Sequence, residues 1–261
     1  MIIRPRILRF WPLSWWEWAL AAETLGWRES LWGLGGVSAL VALGIFLTVK
    51  DPDKIEGETK GSLAELFRLR ALWLIFPLMS VNYALTGAVR GLWIGPYLTD
   101  VFGAETGSVG FASLLMGSAM IAGALAYGFA DRYVFSRKWM IAGGAMIAVL
   151  GALVIIIAPA HSFALSVVML CVIGFFGAGY AIIMAHGRIF LPPHLIGRGV
   201  TMLNLFSIGG VGVLQFASGR VYRHFNTGTD IVLPYIMVFG LLTACLALGL
   251  AVYLFSRDTN T

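Results

Sequence analysis

Residues 127–138 read Tyr-Gly-Phe-Ala-Asp-Arg-Tyr-Val-Phe-Ser-Arg-Lys, a short charged segment between two apolar runs, residues 109–130 and 139–158. Each run has about 20 residues, the length that an α-helix needs to cross the hydrocarbon of a bilayer. The segment is therefore predicted to be a tight turn at a membrane surface. Because loops rich in Lys and Arg stay on the cytoplasmic side, its three cations predict a cytoplasmic turn. These cations are Arg132, Arg137 and Lys138.

The composition of the whole chain is that of a membrane protein. Of its 261 residues, 59% are hydrophobic and 12% are charged, whereas soluble domains average about 25% charged residues. Gly and Ala punctuate long runs of Leu, Ile, Val and Met, which predicts closely packed transmembrane helices. The fold class is therefore an all-α, polytopic membrane bundle. The net charge of +5 arises from cations in short loops, so it reflects topology and does not indicate nucleic-acid binding.

The first 70 residues divide into two spans and a polar linker. Residues 10–25 predict only a weak or partial span because they carry Glu17 and Glu23, and carboxylates are costly in hydrocarbon. Residues 31–49 carry no charge and predict a clear span. Residues 51–70 are rich in charge and predict a cytoplasmic linker, with a short amphipathic helix at residues 62–69.

Six further spans are predicted after the linker. Their apolar runs cover residues 71–98, 109–130, 139–158, 163–185, 200–220 and 231–255. The domain organisation is therefore a leading segment with one clear span, a linker and a six-helix bundle, at residues 1–50, 51–70 and 71–261.

The distribution of cations fixes the predicted orientation. If the turn at 127–138 is cytoplasmic and the loops alternate, 14 of the 18 Lys and Arg residues lie inside and 3 lie outside. The three outer cations are Arg28, Arg220 and Arg223, and Arg90 lies within a span. This imbalance predicts a multi-pass protein of the cell (inner or plasma) membrane with both termini in the cytoplasm.

A charged linker and six spans, with a charged turn between the second and third, resemble the carboxy-terminal half of a major facilitator superfamily transporter. That family carries a motif of the type Gly-x-x-x-Asp-Arg-x-Gly-Arg-Lys in such a turn. The matching residues here are Gly128, Asp131, Arg132, Arg137 and Lys138, with the glycine one place late and a longer turn. The resemblance implies that Asp131 pairs with Arg132, Arg137 or a neighbouring helix end as a latch. The alternative is a turn whose charges only set topology.

The resemblance extends over residues 19–257 and implies that residues 31–49 correspond to the sixth span of a transporter and residues 71–98 to the seventh. In the family, two six-helix bundles enclose a cavity and rock to give alternating access. The resemblance therefore implies that residues 1–50 are a remnant of the amino-terminal half, and that the reading frame is truncated, frame-disrupted or started at an internal methionine. The alternative is a natural half-transporter that assembles in pairs. The expected partners are the bilayer, a small-molecule substrate, and a missing amino-terminal half or a second copy.

Arg90 is the most informative residue for function. An arginine inside a span costs at least about 2.5–3.5 kcal/mol on insertion scales, so it should face a cavity or a partner. Gly91, Gly95 and Pro96 follow it and predict a kinked helix. A cation beside a broken helix favours the binding of an anionic group. We expect Arg90 to line a substrate path with Asn82, Tyr83 and Tyr97; the alternative is that Arg90 reaches outward or bonds carbonyls freed by the kink.

Other polar side chains inside the spans have two interpretations. Asn204 and Gln215, together with Tyr180, lie in spans rich in glycine. They could join helices by hydrogen bonds of about 1 kcal/mol or line the same path, and the sequence favours neither. If Arg90, Asn204 and Gln215 converge on one side of the bundle, a transporter is favoured. If they scatter, a non-transporting membrane scaffold or assembly subunit is the alternative function.

No pattern predicts an enzyme, a cofactor or a metal site. The sequence contains no Gly-Lys-Ser/Thr phosphate loop, Gly-x-Ser-x-Gly elbow or His-Glu-x-x-His pair. His186 and His194 are separated by two prolines and lack a third ligand, so they predict a loop and not a metal site. Cys171 and Cys245 lie in apolar runs and are expected to be packing residues. No carboxylate lies within the last six predicted spans, so either the residues that couple transport to an ion lie in the missing half or Arg90 exchanges anions without them.

Overall fold

The computed structural model describes residues 26–49, 62–133 and 136–258. Within these ranges the regular structure is entirely helical, and seven segments are long and apolar enough to cross a membrane. The prediction of an all-α, polytopic membrane protein is therefore confirmed. The weak span predicted at residues 10–25 and the linker residues 51–61 lie outside the described part of the chain.

The chain divides into two compact units, residues 1–57 and residues 58–261. The described part of the first unit is one helix, α1, Trp27–Thr48. It contains the predicted span 31–49 and carries apolar side chains on every side, which is typical of a helix surrounded by apolar material and not of one at a water-facing surface.

The second unit contains a short linker helix and the six predicted spans. The linker helix, α2, is Leu63–Arg68, and the hydroxyl of its N-cap Ser62 accepts from the amide of Ala64 at 3.2 Å. The first span consists of α3, Arg70–Ala88, a π-helical turn, Val89–Trp93, and α4, Ile94–Phe102. The second and third are α5, Thr106–Ala130, and α6, Arg137–Ile157, and the fourth consists of α7, Phe163–Gly177, followed by α8, Tyr180–Ile189. The last two are α9, Ile196–Phe225, and α10, Leu233–Tyr253.

Several of the spans are longer than their apolar runs. The first continues through α4 to Phe102, beyond the predicted end at residue 98, because Gly103 terminates it in the left-handed conformation (φ 64°). Asp100 therefore lies within a helix. Likewise α9 extends past residue 220, so Arg220 and Arg223 occupy its last turns, where cations interact favourably with the helix dipole.

Helix α3 lies at the centre of the bundle and packs mainly against α9 and α10, while α7 packs against both α5 and α6. Glycines make these contacts close. A Cβ on Gly210 of α9 would lie 1.9 Å from the carbonyl oxygen of Ser80, and one on Gly123 of α5 would lie 2.1 Å from that of Phe175. The expected role of glycine in helix approach is therefore seen at these positions, whereas Gly143, Gly209 and Gly212 have open space beside them.

The bundle has two ends, named here for their loops. The turn end carries the charged turn, the loop between α8 and α9, and residues 254–258. Contacts across it include that of His194 Nε2 with Glu65 Oε2, at 3.3 Å. The far end carries the loops after α4, α6 and α9, where the Tyr97 hydroxyl donates to the carbonyl oxygen of Pro159 at 2.5 Å.

Candidate solute path

The helix that carries Arg90 changes its hydrogen-bonding pattern around that residue. The amide of Ile94 donates to the carbonyl of Val89, five residues back, which is the pattern of a π-helical turn. Pro96, one turn later, has no amide to donate. The sequence predicts a broken helix here, and the structure shows that the break is a π turn with Arg90 at its second position.

The guanidinium of Arg90 lies against a glycine of the neighbouring helix α5. A Cβ on Gly117 would lie 3.3 Å from both Nε and Nη2 of Arg90, so a larger residue there would make the guanidinium shift by a few tenths of an ångström. Arg90 is exposed, and its guanidinium forms no ion pair or hydrogen bond with any other described residue. The cation is therefore available to a group outside the described chain.

Gln215 of α9 lies beside the same π turn. Its Nε2 would be 3.5 Å from a Cβ on Gly91, the residue after Arg90. Gln215 is half-buried, and its side chain has no hydrogen-bond partner among the described residues. The π turn is thus flanked by Gly117 of α5 on one side and by Gln215 of α9 on the other.

A second polar cluster lies closer to the turn end, on α3, α8 and α9. The Tyr180 hydroxyl of α8 donates to Oδ1 of Asn204 at 2.6 Å, and the rings of Tyr83 and Tyr180 have centroids 5.9 Å apart. Tyr83 precedes Arg90 by seven residues, or two helical turns, about 10 Å along the axis. Three of the predicted site residues, Tyr83, Arg90 and Asn204, therefore follow one side of the bundle.

These groups form what we call the polar strip: Tyr83, Arg90, Tyr180, Asn204 and Gln215. Arg90 and Asn204 are exposed and the other three are half-buried. Gly87, between Tyr83 and Arg90, continues the strip across to α9, because a Cβ on it would lie 3.5 Å from Val211. A strip along one side is the arrangement expected of a transporter, whereas scattered polar groups are expected of a scaffold.

Asn82 and Tyr97 lie elsewhere. Asn82 is 2% exposed and its Nδ2 donates to the carbonyl of Gly177 at 3.1 Å. Tyr97 is fully buried, and its hydroxyl lies 2.9 Å from that of Ser166 in addition to its bond with Pro159. Both side chains hold the first span to neighbouring segments, and neither belongs to the polar strip.

The far end holds a carboxylate that was not expected within a span. The Tyr235 hydroxyl of α10 donates to Oδ2 of Asp100, and the Tyr222 hydroxyl of α9 lies 3.5 Å from the same oxygen. The indole of Trp93, in the π turn, donates to Ser218 Oγ at 2.9 Å. Recognising Gly103 as a helix-ending residue would have placed Asp100 inside the helix.

The charged turn contains one well-defined ion pair. Asp131 accepts two bonds from Arg137, from Nε at 2.5 Å and from Nη2 at 2.8 Å. Lys138 donates to the carbonyl of Ser256 at 2.7 Å, which ties the turn to the segment after α10. Arg132 is exposed and forms no ion pair within the described ranges, and Gly128 has open space around it.

The two histidines of the α8–α9 region have separate partners. His186 is buried, with Nδ1 2.7 Å from the Tyr253 hydroxyl and Nε2 3.1 Å from the carbonyl oxygen of Arg257. Since a carbonyl only accepts, Nε2 carries the proton and Nδ1 accepts from Tyr253. His194 contacts Glu65. No group of three potential metal ligands occurs in the part of the chain that the structure describes, and Cys171 and Cys245 are half-buried free thiols.

The fold and the strip define a class: a multi-pass helical membrane protein with polar groups along one side of its bundle. The sequence matches the family profile described as Major Facilitator Superfamily over residues 18–214. The chain therefore belongs to the major facilitator superfamily, whose members are secondary transporters of solutes and typically not enzymes. A search of curated proteins finds no match.

Proposed function

We propose that this chain carries a small anionic solute across the cell membrane and that the polar strip lines the path. The observation that supports this most directly is Arg90, a cation within a span that rests on Gly117 without an ion-pair partner among the described residues. Keeping a charge in that position costs at least about 2.5–3.5 kcal/mol on insertion scales. A solute-binding site explains why a charge is kept there despite this cost, whereas a scaffold does not.

The chemistry of the strip favours an anion. Arg90 offers only donors, and one lone pair of the Asn204 amide oxygen is already used by the Tyr180 hydroxyl. Within the described part of the chain, α5, α7, α8 and α9 contain no Asp or Glu, and Asp100 in α4 is held by two tyrosines at the far end. A solute rich in acceptors fits this arrangement, and an ammonium-type cation does not.

The strip is open on one side, so a second six-helix bundle is needed to enclose the path. We infer that this bundle is either a separate amino-terminal half or a second copy of the chain. The charged turn then faces the cytoplasm with both termini, as the distribution of cations favours. In this arrangement the Asp131–Arg137 pair and the Lys138–Ser256 bond hold the cytoplasmic ends of α5, α6 and α10 together as a latch.

Replacing Arg90 tests the path. Cells producing the chain are supplied with labelled organic acids, amines and neutral solutes, and uptake is measured for the parent chain and for Arg90→Gln. We expect uptake of acids and a loss of kcat/KM of at least about tenfold, equivalent to about 1.4 kcal/mol. Arg220→Gln is the matched control, because Arg220 is an exposed cation over the Phe216 ring and lies outside the strip.

Equal uptake by Arg90→Gln and the parent, at equal amounts in the membrane, would refute the role of Arg90. Preferential uptake of amines would refute the anionic substrate. If no solute in the panel is taken up while the chain copurifies with a stable partner protein that is not itself a membrane-spanning bundle, the scaffold function is favoured instead.

A further inference from the structure

A groove at the turn end lies between α8 and α9 and has not been assigned a role. It has a volume of about 480 Å³, within the range of roughly 300–1,000 Å³ usual for small-molecule sites. Its apolar walls are Ala181, Met184 and Ala185 of α8 with Ile196 and Val200 of α9. Arg188 and Arg137 supply the only charges of its lining.

The groove continues the polar strip toward the turn end. Tyr180, Met184 and Arg188 are spaced by four residues and therefore lie along one side of α8. Ile196, Val200 and Asn204 have the same spacing on α9. The hydrogen bond between Tyr180 and Asn204 thus marks the boundary between strip and groove, and Arg188 lies about 12 Å beyond Tyr180 along the helix axis.

The charge of the groove is not neutralised by the described chain. Of its two arginines, Arg137 is bound bidentately by Asp131. The other two described carboxylates of this end are also engaged, Asp258 by Ser136 and Glu65 by His194. The guanidinium of Arg188 is exposed and makes no ion pair or hydrogen bond with another described residue. Arg188 is therefore the group that determines which ligand the groove attracts.

We propose that this groove is a second binding site for an organic anion, holding its carboxylate at Arg188 and its apolar body against Ala181, Met184 and Ala185. An arginine presents paired donors that match a carboxylate. The flexible Met184 adapts to bodies of different shape, and the apolar walls disfavour a fully hydrated inorganic anion. The site rests on the proposed function only in that it adjoins the path: it concentrates the solute at the cytoplasmic mouth before the solute reaches Tyr180.

The test uses three probes that differ in the sign of their charge and in whether they carry an apolar ring. A fluorophore is attached to Ile189→Cys, a rim position that is 48% exposed, after Cys171 and Cys245 are replaced by alanine. The labelled full chain in phosphatidylcholine nanodiscs is titrated with benzoate, benzylamine and sulfate. We expect a saturable response to benzoate alone, because only benzoate combines a carboxylate with an apolar ring.

Two matched variants locate the binding. Arg188→Gln should weaken benzoate binding by about tenfold, while Arg198→Gln should change it less than about twofold. Arg198 is also an exposed cation of the turn end, but it borders a different groove, with Phe67 and Thr201. Equal effects of the two variants, or a response to sulfate equal to that for benzoate, would show that anions respond only to the positive surface potential of this end. Either result would overturn the proposal. So would the absence of a saturable benzoate response.

Two further measurements distinguish the groove from a lipid site and from the path. Nanodiscs containing phosphatidylglycerol should bind benzoate as well as neutral ones do; loss of binding there would identify a lipid as the occupant and overturn the proposal. Arg90→Gln should leave the benzoate response at Ile189→Cys unchanged, and a lost response would place benzoate at Arg90 instead. If the response is unchanged and uptake is also unaffected by Arg90→Gln, the groove stands and the proposed path through the strip fails.

Discussion

At the scale of single residues, the position of Arg90 depends on what Gly117 lacks. The guanidinium occupies the space of the missing side chain, with Nε and Nη2 both 3.3 Å from where a Cβ would be. An alanine methyl group at position 117 would leave the backbone of α5 unaffected but would displace the flexible end of the Arg90 side chain. Gly117 is therefore a positioning residue for the cation of the strip.

We predict that Gly117→Ala weakens solute recognition without unfolding the chain. The guanidinium must move by a few tenths of an ångström, and a misplaced binding group raises KM for an anionic solute several-fold, by about 1 kcal/mol. Gly110→Ala on the same helix is the control, since nothing lies within 4 Å of its Cβ position. Uptake kinetics and the thermal midpoint are measured for both. Equal kinetics of the two variants would show that Gly117 does not position Arg90.

The sequence singled out Arg90 as a candidate but did not distinguish Tyr83 from Asn82. Arg90 stands out because a charge in hydrocarbon is costly wherever it points. Asn82 and Tyr83 are adjacent, and their directions differ by about 100° around a helix, so one is buried against Gly177 and the other faces Tyr180. Which side of a span is open depends on helices far along the chain, and an apolar run without a clear stripe does not reveal it.

At the scale of helices, the packing of α3 against α9 depends on backbone contact. Gly210 allows the carbonyl of Ser80 to approach its α-carbon directly, and the rings of Phe76 and Phe206 stack one turn away with centroids 4.2 Å apart. The adjacent Gly209 has open space around it. Two glycines that are neighbours in the sequence therefore differ completely in what a side chain would meet.

Alanine at these two positions should have opposite effects on stability. Gly210→Ala must separate α3 from α9 and should cost about 1–3 kcal/mol, the usual range for overpacking. Gly209→Ala should be neutral or slightly stabilising, because alanine favours a helix over glycine by up to about 1 kcal/mol. Thermal or denaturant unfolding in the same lipid or detergent measures the difference. A more harmful effect of Gly209→Ala would contradict the observed packing of α9.

The ends of the spans were predicted less well than their existence. Hydropathy locates a span because the hydrocarbon requires about 20 apolar residues. It does not locate the helix terminus, because a helix continues into the polar interface for as long as its groups find partners. Asp100 finds Tyr222 and Tyr235, which are 122 and 135 positions away. Arg220 lies over the ring of Phe216, which is one helical turn before it. Only the contact between Arg220 and Phe216 could therefore have been inferred from residues close in the sequence.

The bond between α4 and α10 at the far end gives a third prediction. Tyr235→Phe removes the donor that contacts Asp100 and should destabilise the chain by about 1.5–3 kcal/mol, the range for hydrogen bonds to charged groups. Tyr222→Phe removes a contact of 3.5 Å and should cost less. Unfolding midpoints of the two variants are compared under identical conditions. Equal losses would mean that the aromatic packing of the cluster, and not its hydroxyl groups, holds α4 in place.

At the scale of the whole molecule, the described bundle leaves its polar strip uncovered. Arg90 and Asn204 are exposed, as are several large apolar side chains of α9, among them Leu205, Val213 and Phe216. In a lipid environment the apolar groups need no cover, but the unpaired cation does. We therefore expect the second bundle of our proposal to sit on the side of the strip. Helix α10 contributes no residue to the strip, so we expect its exposed side to remain outside that interface.

Cysteine cross-linking tests this arrangement. Gly212 of α9 is exposed with open space beside it, and it lies one residue from Val211 at the edge of the strip; Leu248 of α10 is 68% exposed. With Cys171 and Cys245 replaced, Gly212→Cys should cross-link in membranes to a species well above 28.3 kDa, and Leu248→Cys should not. A product that contains only this chain identifies a second copy, and a product that also contains another membrane-spanning polypeptide identifies a separate half. Cross-linking only through Leu248→Cys, or solute transport by a purified monomer, would show that the strip does not face a partner bundle.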